Sequence, residues 1–174
     1  MTGCKRPLER NMNTILRSLL GACALSAAAA GLKAHAAGSV EVQWLKPADY
    51  SDAGRSSVDR ERVMRSLGDH LQTMGKQLPD GQVLRLEVTD IDLAGEVQPF
   101  GWHDLRVLRG RADWPRMSLR YTLTADGRTL KSGDARLNDM GYLFGGSLGK
   151  RQDDLGHEKR MLDQWFKTEF SARP

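Results

Sequence analysis

The segment from Met117 to Leu137 limits the possible folds of this chain more than any other. Met117, Leu119, Tyr121 and Leu123 alternate with polar residues, which gives an extended strand one apolar face. The run enters Asp126-Gly127, a pair suited to the positive φ angles of a two-residue hairpin turn. Thr129 to Leu137 therefore returns as the antiparallel partner. Two such strands need other elements to cover their apolar face.

The rest of the chain supplies them. Val40-Glu41-Val42-Gln43-Trp44 alternates and is closed by Pro47, so it reads as a first strand. From about Ser57 to Leu78, the residues Val63, Leu67, Leu71, Met74 and Leu78 recur at spacings of three and four, which predicts an amphipathic helix capped near Ser56 or Ser57. Pro79-Asp80-Gly81 stops it. Leu84, Leu86 and Val88 then share one face of a strand, and the apolar parity moves to Ile91 and Leu93, which predicts a bulge or strand end near Asp90. Met161, Leu162, Trp165, Phe166 and Phe170 make one broad apolar stripe on a closing helix. The expected fold is α+β, a two-layer sandwich of an antiparallel-rich sheet and two helices in the order β-α-β-β-β-α. A long irregular excursion from about Gly95 to Trp114 is expected within it. The sheet's far face, with Arg85, Glu87, Arg120 and Thr122, is expected to be wet.

Four segments carry a resemblance. These are Val40-Glu41-Val42-Gln43-Trp44 with Pro47, the run from Glu87 through Thr89-Asp90-Ile91-Asp92-Leu93-Ala94-Gly95-Glu96, the strand Leu119 to Leu123, and the tail Glu158 to Phe166. Together they resemble the bacterial family called domain of unknown function 3016. The resemblance implies a secreted or periplasmic proteobacterial protein, and it brings with it no catalytic residue.

Upstream, Lys5, Arg6, Arg10 and Arg17 precede an apolar stretch from Leu19 to Leu32 that ends near Ala34-His35-Ala36. This is the layout of a secretory signal peptide. The stretch is shorter than the roughly 20 residues of a membrane-spanning helix, and no later segment of the mature chain approaches that length. Residues 1–36 are expected to be removed after Ala36, leaving one periplasmic domain over 37–174. Met12 offers a second start with the same outcome. A rival processing point is Leu20-Gly21-Ala22-Cys23, which resembles a lipobox and would give a lipoprotein anchored through Cys23. Against it, Arg17 interrupts the apolar run before Cys23, and the better run continues past it.

Removing the leader changes what chemistry is available. Of 26 basic and 22 acidic residues, five and one lie in residues 1–36, so the mature chain is formally neutral and carries no global field for nucleic acid. Both cysteines, Cys4 and Cys23, lie there too, which excludes a disulfide scaffold and a thiolate zinc site from the mature domain.

Several small constellations remain. Asp90, Asp92 and Glu96 offer hard oxygen ligands for calcium or magnesium, but without the spacing of an EF-hand loop; the plain alternative is a strand end with solvated or capping carboxylates. Gly145-Gly146-Ser147-Leu148-Gly149 matches the nucleophile-elbow pattern, yet that elbow needs a parallel α/β sheet, and Asp153, Asp154 and His157 follow too closely to be obvious triad partners. The same loop lacks the residues of a phosphate cradle. His70, His103 and His157 share no short metal-ligand spacing, so neither a metal site nor a cofactor is assigned.

Trp102, Arg106, Arg109, Arg111 and Trp114, with Arg116, form the leading binding group, because guanidinium groups beside indoles grip anionic or sugar-like surfaces. The competing reading packs the tryptophans on the sheet edge and pairs the arginines with carboxylates. The apolar stripe on the last helix reads as core, with a docking face as the alternative. The resulting expectation is a non-enzymatic accessory or binding domain whose partner is an envelope protein or an anionic envelope component. Two rivals stand beside it. One is a metal-dependent or serine hydrolase using Asp90 and Asp92 with His157 or Ser147; the other is an anchored envelope assembly factor.

Overall fold

The computed structural model describes residues 37–100, 103–110, 112–144 and 155–170. The expected leader, Trp102, Arg111 and the Gly145–Gly149 loop with Ser147 lie outside the described residues. Strand β1 (Ser39–Trp44) leads through a single 3-10 turn at Pro47–Asp49 into helix α1 (Ser57–Gly75). Strands β2 (Gln82–Asp92), β3 (Glu96–Phe100), β4 (His103–Val107), β5 (Arg116–Ala125) and β6 (Arg128–Asn138) follow, and α2 (Gly156–Phe170) closes the fold. A four-stranded sheet has the order β1-β2-β5-β6, with β1 parallel to β2 and the other neighbours antiparallel.

Local chemistry explains most of these elements. Ser56 Oγ accepts from the Asp59 backbone N–H at 3.0 Å and caps α1 as its position in the sequence requires. Helix α1 ends at Gly75, three residues short of Leu78, whose N–H closes a turn onto the Gly75 carbonyl. Leu78 stays in the core all the same, at 5% exposure. Asp126 and Gly127 take φ angles of 51° and 76°, the left-handed pair that the β5–β6 hairpin needs. Between β2 and β5 the register runs from Val88↔Leu119 to Asp90↔Ser118, so Thr89 is the extra residue of a bulge. The bulge brings Ile91 back to the buried face.

The two layers meet in one core. Val63, Leu67, Leu71 and Met74 of α1 and Met161, Leu162 and Phe166 of α2 pack with Leu84, Leu86, Val88, Leu119, Tyr121 and Leu123 of the sheet. Arg85 and Arg120 on the opposite face are exposed, and they pair with Glu41 and Glu87. The helices are joined by polar bonds as well, from Lys159 Nζ to Ser66 Oγ and between His70 Nε2 and Asp163 Oδ1, each 2.9 Å.

The stretch from Gly95 to Trp114 departs from its sequence reading as an irregular excursion. It contains the antiparallel hairpin β3–β4, a separate two-stranded sheet. Pro99 inside β3 and the mixed polarity of both strands conceal the alternation from which a strand is ordinarily read.

Candidate functional site

The hairpin departs from the end of β2, where Leu93 and Ala94 are buried. Gly95 turns the chain at φ 79°, and a side chain there would lie 2.7 Å from the Val107 carbonyl oxygen. Its N–H donates to the Asp113 carbonyl at 2.8 Å, closing the base of the excursion. Cross-strand partners share a face, so Val97 with Arg106 lies on one side of the hairpin and Gln98 with Leu105 on the other.

Arg106 faces the body of the domain. Its Nη1 donates to Asp52 Oδ2 at 2.8 Å and to the carbonyls of Gly95 and Ala94 at 3.0 and 3.3 Å. Asp52 is itself fixed: its backbone bonds to Ile91 and Leu93 beside the end of β2, and its Oδ1 accepts from Gly54 N–H. Ala94 N–H donates at 2.8 Å to Oε1 of Glu158, a buried carboxylate on the first turn of α2. The root of the hairpin is thus tied to the sheet, to the loop before α1 and to α2.

The other side of the hairpin is open to solvent. Phe100 is 69% exposed, with Leu105 and Leu108 also exposed. Beside the base runs the turn 139–144. There the Tyr142 hydroxyl accepts from Gly110 N–H at 3.1 Å, and Leu143 lies against Gly110. Tyr142 is buried edge-on to His157, with ring centroids 4.9 Å apart, while Met140 and Phe144 project outward at 67% and 89% exposure. Burial, with the Arg160 guanidinium adding to it, holds His157 below its ordinary value, so the ring stays neutral at neutral pH. Burial pushes the Tyr142 phenol up.

The residues singled out in the sequence divide among several roles. Arg106 anchors the hairpin. Arg109 is exposed at its base, 3.7 Å from Glu96, and its N–H donates to Asp113 Oδ2. Trp114 is half-buried under the Arg116 guanidinium, 4.7 Å from the ring centroid, and Arg116 also pairs with Asp92 at 2.7 Å. Asp90 accepts from both the N–H and the hydroxyl of Ser51. Asp90 and Asp92 therefore serve different donors, and among the described residues no three acidic, histidine or cysteine side chains converge as metal ligands. Trp165 and Phe170 pack edge-on with Tyr121 against the core. Asp52 and Tyr142 were not legible as participants, because a lone aspartate in a Ser-Asp-Ala-Gly loop and a lone tyrosine carry no periodic signal.

No described helix is long and apolar enough to cross a membrane. A family model described as "Protein of unknown function (DUF3016)" matches residues 38–168. No curated protein and no solved structure matches the chain.

Proposed function

The chain belongs to the DUF3016 family, and from the geometry of its hairpin we propose a non-enzymatic accessory or binding domain of the bacterial cell envelope that contacts its partner through β3, β4 and the neighbouring turn. The observation that carries this reading is the division of the hairpin into two faces. One is committed to the domain through Arg106 and Asp52, and the other exposes Phe100 and Leu105. Leu108, Met140 and Phe144 add exposed apolar area at the base, of the kind that marks interaction surfaces. Arg109 supplies positive charge at the rim. A fitting partner is an envelope protein or an anionic envelope component with an apolar patch flanked by acidic groups. The leader supports the address: basic residues, a short apolar run and a small-residue site fit export and removal after Ala36, with release into the periplasm.

Photo-crosslinking in cells tests the contact. A crosslinker placed at Phe100 or at Leu105 is expected to give a defined adduct with an envelope component, and one at Gln72 on the exposed side of α1 is not. Equal adducts at all three positions would overturn the assignment. The intact mass of the protein recovered from the periplasmic fraction tests the address; a lipid on Cys23 in place of an Ala37 amino terminus would overturn a free periplasmic domain.

A further inference from the structure

Strand β6 ends the four-stranded sheet, so among the described residues its backbone row facing away from β5 has no neighbouring strand. Such edges are usually guarded by charge, often by a lysine turned inward. Lys131 points to the helix side but is neutralised by Glu169, 2.7 Å away, and lies outside the stretch 132–138.

That stretch has a self-complementary pattern. Register places Ser132, Asp134 and Arg136 beside Thr122, Arg120 and Ser118 on the wet face, and Gly133, Ala135 and Leu137 beside Tyr121, Leu119 and Met117 on the helix-covered face. Charge alternates along one rung of the wet face, where Glu87, Arg120 and Asp134 are successive partners and Arg120 lies 3.3 Å from Glu87. Among the described residues the rung ends at Asp134, with no further cation beyond it in the sheet.

We propose that a second copy of this chain supplies the next cation, the two β6 edges pairing antiparallel about a two-fold axis at Ala135. In that register Asp134 stands opposite the second copy's Arg136, and Arg136 opposite its Asp134. Ser132 meets Asn138, Gly133 meets Leu137, and Ala135 meets its own copy, so polar residues share one face and small or apolar residues the other. The charges select the register. An axis at Asp134 sets two carboxylates together, an axis at Arg136 sets two guanidiniums together, and axes at Gly133 or Leu137 form no ion pair. An axis between residues would place wet-face side chains opposite helix-face ones. The rung then reads Glu87, Arg120, Asp134 and the second copy's Arg136, with alternating sign throughout.

Sedimentation of the protein purified from cells expressing the full chain tests the proposal. The native protein is expected to sediment as a dimer at high micromolar concentration. Arg136 is exposed and its partner on β5 is Ser118, so its replacement leaves the fold in place. Arg136→Lys, which keeps the charge, is expected to remain dimeric, and Arg136→Asp, which sets two carboxylates opposite each other twice over, to become monomeric. Amide exchange along 132–138 is expected to be slower in the native protein than in R136D. A monomeric native protein, or an R136D variant as dimeric as the native one, would overturn the pairing.

Discussion

Arg106 Nη1 donates to Asp52 Oδ2 across 2.8 Å, joining strand β4 to the loop that precedes α1. Both side chains are about three-quarters buried, at 24% and 28% exposure, so water screens the pair only in part. The Arg106 guanidinium is thereby committed to orienting the hairpin and not to a ligand. It sets which side of the hairpin faces the domain and which faces solvent.

Arg106→Ala removes the ion pair together with two bonds to carbonyls, and is expected to lower the unfolding free energy by about 1.5–3 kcal/mol, the range for hydrogen bonds to charged groups. Urea unfolding measures the loss. Amide exchange should accelerate first in β3 and β4, and uniform acceleration would mean that the pair does not hold the hairpin locally.

Two glycines of the same helix are expected to respond oppositely to alanine. A Cβ on Gly68 would meet only Trp44 Cζ2 at 3.7 Å, an ordinary contact, so Gly68→Ala should gain about 0.5–1 kcal/mol from helix propensity. A Cβ on Gly75 would lie 2.9 Å from the Val40 backbone nitrogen and 3.1 Å from Ser39, where α1 packs against β1. Gly75→Ala should therefore destabilise the protein. Thermal melts of the two variants, one shifted up and one down, check the contrast.

All three tyrosines are expected to titrate late. Burial pushes Tyr50 up to about 12, and the 2.5 Å bond from Tyr121 to Glu169, with burial added, pushes Tyr121 up to about 12 as well. Tyr142 is also raised. Ultraviolet absorbance should show no phenolate step in the native protein at the ordinary value of 10.0. Above that pH the unfolded chain has lost protons that the native one retains, so stability should fall as pH rises toward 12. Tyr121→Phe should remove part of that fall.

His157 gives a dependence on the acid side. Its native value lies below the ordinary 6.5, chiefly through burial, so just below 6.5 the unfolded chain binds the proton and the native one does not. Its contribution to stability is complete above 6.5 and declines as pH falls through that value to the lower native one. His157→Gln should flatten this part of a plot of stability against pH, and an unchanged slope would assign the dependence to other groups.

Elements governed by local chemistry were legible in the sequence, and so was the parity switch beside Asp90, which became the Thr89 bulge. The candidate site was legible only in part. Its arginines and tryptophans stood out by composition, yet nothing local distinguished Arg106, which turns inward, from Arg109, which stays exposed. The hairpin itself was missed because two short strands with Pro99 in one of them carry no clean period.

The sequence by itself determined where the two helices and the four strands of the main sheet run, because alternation, the 3.6-residue period, the Ser56 cap and the positive φ angles of Asp126 and Gly127 are properties of neighbouring residues. Tertiary structure alone decided the partners. Arg106 meets Asp52 across 54 positions, and Glu158 meets Ala94 across 64. Such pairs depend on the direction in which Gly95 sends the hairpin and on how α2 packs against the main sheet. A buried polar group must find its partner wherever packing brings a donor and an acceptor together, and that place is set by the whole core.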